Sequence, residues 1–266
     1  MTKLKKLEKV LQKMNKVLIA YSGGADSTFL IKVAVDTLGK ENVLAVTAKS
    51  PTYQASELKD AKENAKTIGV RHLIIDTQEL KNPEFSSNPG NRCFYCKDEL
   101  FGELKSIANK KGFDFVSDAS NIDDLYDYRP GAKAKEKHGV SSPLQDAGFS
   151  KRDIRVFSKK LGLATWDKPA MACLASRFPY GDKIEVDKLK RIETAEYFLQ
   201  GMGFKQVRVR CHGDAARIEV LPGQIKRLNK DEIRGKIVKK LKALGFLYIT
   251  LDLQGYRTGS LNEVLR

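Results

Sequence analysis

The feature that most constrains this chain is an apolar run, residues 17–22 (VLIAYS), that feeds directly into Gly23-Gly24-Ala25-Asp26-Ser27. An unbroken apolar run of this length suits a strand buried on both faces of a parallel sheet. Parallel neighbours cannot be joined by tight turns, so each strand must be followed by a crossover, usually a helix. The first half repeats that alternation. Helices are predicted over residues 26–38, 56–68 and 93–111, closed by Gly39, Gly69 and Gly112, and strands over 43–48, 73–76 and 113–117. A shorter run at 140–144 predicts a fifth strand, and Ser150-Lys151-Arg152-Asp153 reads as a capping box opening a helix that ends at Gly162. The expected fold is α/β, a doubly wound, mainly parallel sheet.

The pattern breaks over residues 168–181, KPAMACLASRFPYG, and resumes differently. A helix is expected over 185–202, alternating strands over 206–212 and 215–221 around Gly213-Asp214, a helical stretch over 222–244 opened by Pro222, and a last strand over 246–253. The expected organisation is an α/β domain over 1–168, a linker loop over 169–184 carrying Cys173, and a small α+β domain with an antiparallel sheet over 185–266.

The net charge of +15 favours an anionic partner. The excess Lys and Arg are spread along the whole chain, so a solvated surface explains most of the charge and nucleic acid is the less favoured partner on charge alone. No apolar run is long enough to span a bilayer. Residues 1–15 are Lys-rich and helical in pattern, without the continuous apolar core of a signal peptide, so a cytoplasmic location is expected.

A glycine-rich turn between strand and helix presents backbone N–H groups to an anion, and the helix dipole adds to the attraction. Gly23 and Gly24 allow positive φ and close ligand approach. Ser22 and Ser27 can donate to phosphate oxygens, and Asp26 is a candidate Mg²⁺ ligand. The GK[ST] ending of a Walker A loop is absent, and so is GxGxxG. The six residues resemble the PP-loop, S-G-G-x-D-S, of the N-type ATP pyrophosphatases. That resemblance implies cleavage of ATP between its α and β phosphates, with Ala20 and Ala48, at the ends of the first two predicted strands, completing the ATP site.

Cys93 and Cys96 stand at i and i+3 at a predicted helix start, which places both sulfurs on one face. Cys173 lies far off in sequence. Three thiolates leave one iron of a [4Fe–4S] cube open for chemistry. Zinc is a second reading, with Cys211, His72, His138 or His212 completing the set. A redox CxxC pair and separate buried features are the others. Cys211 alternates with Val207 and Val209 and reads as core, with Arg208 and Arg210 on the opposite strand face. Two guanidinium forks so spaced suit a phosphate or carboxylate, though a solvated face has the same pattern. Arg177 is expected to bring positive charge near Cys173. The acidic stretch 120–131, ending Asp127-Tyr128-Arg129-Pro130-Gly131, follows strand four at the sheet edge where α/β ligands bind.

Taken together, YSGGADST, DYRPG, CLASRFPYG, VRVRCHGDAARIEV and GFLYITLDLQGYRTG resemble the LarE family of PP-loop sulfurtransferases, in the family's order and over nearly the whole chain. The resemblance implies adenylation of a carboxylate of pyridinium-3,5-biscarboxylic acid mononucleotide with ATP and Mg²⁺, then replacement of AMP by sulfur, in synthesis of the nickel-pincer nucleotide of lactate racemase. It implies that Arg129, Ser176, Arg177, Arg208 and Arg210 bind the substrate. In one branch of the family a single cysteine, matching Cys173, surrenders its own sulfur. The presence of Cys93 and Cys96 beside Cys173 resembles the other branch, in which three cysteines hold a [4Fe–4S] cluster carrying a sulfide. Family members assemble through the C-terminal domain, so a homo-oligomer is expected; the sulfide donor is not specified. A tRNA thiolation enzyme, an ammonia-using amide ligase and a nucleotide-binding module without catalysis share the PP-loop and remain alternatives.

Overall fold

A computed structural model describes residues 2–265. Contacts divide the chain into two units, one running to residue 79 and over 91–171, the other formed by 80–90 and the chain from 172 onward.

The first unit opens with α1 (Lys3–Met14), β1 (Val17–Ala20), α2 (Ala25–Leu38), β2 (Val43–Lys49), α3 (Ala55–Ile68) and β3 (Arg71–Asp76). After the one-turn α4 (Pro83–Ser86) of the second unit come α5 (Arg92–Lys111), β4 (Phe115–Ser117), α6 (Gly131–Lys137), α7 (Pro143–Asp146) and α8 (Lys151–Lys160). The strands form a four-stranded sheet in the order β3-β2-β1-β4, every pair parallel. Alternate residues of the same strands enter different cores. Val17, Ile19, Val43 and Ala45 pack with Leu7, Leu11, Phe29 and Phe149, while Leu18, Leu44 and Val46 pack with Phe101, Leu104 and Val116. Burial on both faces is what the unbroken apolar runs encode.

The fifth strand expected at 140–144 does not form. Only an isolated parallel bridge, Ser117 to Ser141, extends the sheet. Pro143 lacks an N–H for the ladder and has the φ of a helix start, so it opens α7 instead. The capping box at Ser150 does form: its hydroxyl accepts from Asp153 N, and the Asp153 carboxylate accepts from Ser150 N.

The second unit contains a 3₁₀ turn (Leu174–Arg177), α9 (Val186–Gly201), β5 (Val207–His212), β6 (Ala215–Val220), α10 (Ile225–Leu228), α11 (Asp231–Ala243) and β7 (Tyr248–Leu251). Segment 80–90 joins this unit through backbone hydrogen bonds from Gly181 N to Asn88 O and from Ile184 N to Ser86 O, 2.9 and 2.8 Å. Its sheet has the order β5-β6-β7 and is mixed rather than antiparallel. β5 and β6 form the expected hairpin, but β6 and β7 run parallel, because α11 carries the chain back before β7 begins. The helical stretch expected over 222–244 is broken: Lys230 is extended (φ −61°, ψ 134°) between α10 and α11.

Candidate active site

In the first unit, β2 lies to one side of β1 and β4 to the other. Chain direction across the sheet therefore reverses at β1, and the loops leaving the carboxyl ends of β1 and β4 diverge around a crevice. Ser22 to Asp26 leaves β1 there. Gly23 has φ +68°, and a Cβ on it would lie 2.9 Å from the Ala61 Cβ of α3, so both backbone and space demand glycine. Gly24 caps α2, its carbonyl accepting from Thr28 N at 3.0 Å. The two serine hydroxyls are held inside the loop: Ser27 Oγ donates to Gly24 O (3.3 Å), Ser22 Oγ lies 3.2 Å from Ser27 Oγ, and Gly24 N donates to Ser22 Oγ (3.4 Å). Ala20 and Ala48, both partly buried, end β1 and approach the end of β2 on the same sheet edge.

The loop after β4 meets this turn. Asn121, fully buried, donates from Nδ2 to Asp26 Oδ2 at 2.9 Å. Asn121 is itself fixed as a cap, its Oδ1 accepting from Asp123 N and its N donating to Asp124 Oδ2, both at 3.0 Å. Burial, and next the charge of Asp124, push the Asp26 carboxyl up against this hydrogen bond. A carboxylate costly to keep charged alone, beside a turn whose amides suit an anion, has the donor chemistry to hold a divalent cation. Arg129 pairs with Asp124 Oδ1 at 2.7 Å and with Asp127 at 3.4 Å. Sequence reasoning missed Asn121 as a link to Asp26, because the two side chains are 95 residues apart.

Cys93 and Cys96 stand on the first turn of α5, Cys93 exposed and Cys96 partly so. The start of α6 lies against this turn: a Cβ on Gly131 would approach the Cys93 carbonyl oxygen to 3.4 Å. Of the zinc alternatives, His72 Nε2 pairs with Thr47 Oγ1 and His138 Nε2 with Asp98 Oδ1, each at 2.8 Å. Among the described residues no group of three or more His, Cys, Asp or Glu is gathered to hold a metal ion. Cys93 and Cys96 belong to one unit and Cys173 to the other. Three accessible thiols have the donor chemistry of cluster ligation.

In the second unit Cys173 begins the 3₁₀ turn with its side chain exposed and its backbone fixed. Its carbonyl accepts from Ser176 N (3.0 Å), Ser176 Oγ (2.8 Å) and Arg177 Nη1 (3.0 Å). Arg177 is fully buried, and its Nε and Nη2 donate to the two oxygens of Glu196 at 2.9 and 2.8 Å. Glu196 also accepts from Val209 N of β5 (2.9 Å). Arg177 therefore shapes the turn that displays Cys173.

Arg208 and Arg210 share a strand face as expected, but it is not a solvated one: they are 3% and 7% exposed. Arg210 makes a two-pronged pair with Glu219 (2.9 and 3.0 Å) and donates to Ser176 O (2.6 Å) and Ser260 Oγ (3.0 Å). Arg208 donates to Val207 O and lies over the Tyr256 ring, 5.3 Å from its centroid. Burial, then Arg177, lower the Arg208 pKa. Arg177 and Arg210 are thus each held by a buried carboxylate, Glu196 and Glu219. Alternation identified the shared face; it did not reveal that the turn at Ser176 and the segment around Tyr256 cover it. Cys211 is buried as read, its thiol donating to Gly213 O and pushed up in pKa by burial.

Among the described residues no helix is long and apolar enough to cross a membrane. Residues 2–88 match the family NAD synthase. An uncharacterised protein of Synechocystis is 47% identical over 264 residues, covering 99% of this chain and 98% of its own. The pyridinium-3,5-bisthiocarboxylic acid mononucleotide synthase of Lactiplantibacillus plantarum is 37% identical over 264 residues, covering 99% of this chain and 95% of its own. An uncharacterised protein of Methanocaldococcus jannaschii is 33% identical over 256 residues, covering 96% of each.

Proposed function

We propose, from the premise that this chain belongs to the LarE family of PP-loop ATP-dependent sulfurtransferases, that it adenylates a carboxylate of pyridinium-3,5-biscarboxylic acid mononucleotide and exchanges AMP for sulfur. The observation that carries the reading is the extent of the match to the L. plantarum synthase, which runs through both units. A PP-loop alone would serve tRNA thiolation or amide synthesis equally well.

A carboxylate is a poor acyl donor. Its oxygen attacks the α phosphorus of ATP, pyrophosphate leaves, and the acyl-adenylate then carries a good leaving group. The amides of the Gly23-Gly24 turn and the α2 dipole hold the departing pyrophosphate, and Asp26, steadied by Asn121, would hold Mg²⁺ against its charge. Arg208 and Arg210 are the groups proposed for the substrate phosphate and second carboxylate, and Ser176, Arg177 and Arg129 are the further substrate-binding candidates. A sulfur nucleophile attacks the acyl carbon, AMP leaves, and a thiocarboxylate results. Cys93, Cys96 and Cys173 would hold a [4Fe–4S] cluster, which when bound supplies sulfide from an external sulfide source. Exposed Leu247, Tyr248 and Leu253 on and beside edge strand β7 support assembly as a homo-oligomer, which we place in the cytoplasm.

The test is an anaerobic reaction with ATP, Mg²⁺, sulfide and the biscarboxylic mononucleotide. Pyrophosphate, AMP and a thiocarboxylate product are expected. Sulfur entering RNA instead, or pyrophosphate release that requires no carboxylate, would replace this function with one of the PP-loop alternatives.

A further inference from the structure

The phosphate-binding turn has a weakness that its own sequence creates. The peptide between Gly23 and Gly24 is flanked by two residues without Cβ, so it meets little steric resistance to flipping over. A flip would turn the Gly23 carbonyl toward the anion in place of the Gly24 N–H, because the two groups of one trans peptide point in opposite directions. The Ser22–Gly23 peptide has one such neighbour, Gly23, and a flip there would likewise turn the Ser22 carbonyl toward the anion. An anion-binding turn of this composition works only if its carbonyls are held on the far side.

Two side chains outside the motif do this. Tyr53 donates its hydroxyl to Ser22 O at 2.6 Å. Lys168 donates to Gly23 O at 3.4 Å. The Lys168 ammonium is also 2.8 Å from Asp60 Oδ2 and 3.0 Å from Glu57 Oε2, both on α3. Its three N–H bonds are thus matched by three oxygens, and holding the carbonyl occupies a group that would otherwise be free to seek phosphate. The side chain is only 15% exposed, and its own carbonyl accepts from Arg155 Nη2 at 3.1 Å, so the anchor is itself anchored. Burial, then the charge of Glu57, push the Tyr53 phenol well above its ordinary pKa, so it remains a donor. Gly24 N, the other group of the Gly23–Gly24 peptide, donates to Ser22 Oγ at 3.4 Å.

We infer that Tyr53 and Lys168 are positioning residues that lock two peptide planes of the phosphate loop, keeping its amides aimed at the pyrophosphate portion of ATP without touching the nucleotide. The inference rests on the reading of this turn as an ATP pyrophosphate site and adds the residues that make the turn competent.

Calorimetric titration of the full chain with inorganic pyrophosphate and, separately, with AMP tests it, using Tyr53→Phe, Lys168→Met and Lys168→Arg. The expected result is pyrophosphate affinity lowered about tenfold in Tyr53→Phe and Lys168→Met, AMP affinity unchanged, and most of the loss restored in Lys168→Arg. Pyrophosphate binding equal to wild type in Tyr53→Phe would overturn the lock, and that variant, which removes one oxygen, decides the matter even if Lys168→Met does not fold. Equal weakening of pyrophosphate and AMP would overturn it as well, by showing a general structural role. A wild-type chain that binds no pyrophosphate would instead overturn the phosphate-site reading on which the lock depends.

Discussion

Arg177 and Glu196 meet as a two-pronged ion pair, Nε to Oε1 and Nη2 to Oε2, with both residues almost wholly out of solvent. Arg177 spends its remaining nitrogen, Nη1, on the carbonyls of Ala172 and Cys173 and on Ser176 Oγ. Glu196→Ala leaves a buried guanidinium without its counter-charge, and a loss of about 3–5 kcal/mol is expected in urea unfolding. Glu196→Gln, which keeps the shape and one acceptor, should lose less. Equal stability of wild type and Glu196→Ala would mean that water reaches Arg177.

Gly23→Ala meets two obstacles at once, a positive φ and the Ala61 Cβ 2.9 Å away. The expected cost is about 1–3 kcal/mol, concentrated in the loop. Pyrophosphate affinity should fall more steeply than the thermal midpoint, and calorimetry beside thermal unfolding separates the two.

Asn121→Ala removes both the cap and the hydrogen bond to Asp26. The cap is worth about 1 kcal/mol of stability. If Asp26 holds Mg²⁺ as proposed, loss of the support behind its carboxylate should weaken Mg²⁺-dependent pyrophosphate release about 10–100-fold. A Mg²⁺ titration of the variant reads this directly: the half-saturating concentration should rise, while an unchanged value would mean that Asp26 keeps its orientation without Asn121.

Anaerobically prepared protein should contain about four irons per chain if Cys93, Cys96 and Cys173 act together. Cys173→Ala should lose the cluster's visible absorption, whereas Cys211→Ala, which alters a buried residue of β5, should retain it. Protein still colourless after reconstitution would leave Cys173 itself, or zinc, as the sulfur chemistry to pursue.

Asp153 gives a pH dependence with a definite sign. Burial pushes its carboxyl up, but hydrogen bonds from Lys3, the Ser150 hydroxyl and the Ser150 amide outweigh burial and hold it at about 2. A carboxyl depressed in the folded state contributes stability that is complete above the unfolded value, about 3.9, and disappears as pH falls toward 2. The thermal-midpoint gap between wild type and Asp153→Asn should therefore be constant above about pH 5 and close between about pH 4 and 2.

The sequence by itself determined the local and periodic features. Apolar runs such as residues 17–22 encode two-sided burial, glycines at 39, 69 and 112 end helices, and Ser22 to Ser27 encodes the glycine turn that opens α2, because each depends on neighbours a few residues away. The Arg208 and Arg210 face and the buried Cys211 face also followed from alternation. Only the tertiary structure decided that the arginine face is buried against the Ser176 turn, that β7 joins β6 in parallel, that Pro143 ends the sheet, and that residues 80–90 fold with the second unit. The partners of the functional groups were likewise invisible in the chain: Asn121 for Asp26, Lys168 for Gly23 and Glu196 for Arg177. The reason is physical. A motif is recognised by what short-range backbone geometry permits, whereas a hydrogen bond or ion pair that holds the motif in one orientation needs only spatial proximity, and folding supplies that from any distance along the chain.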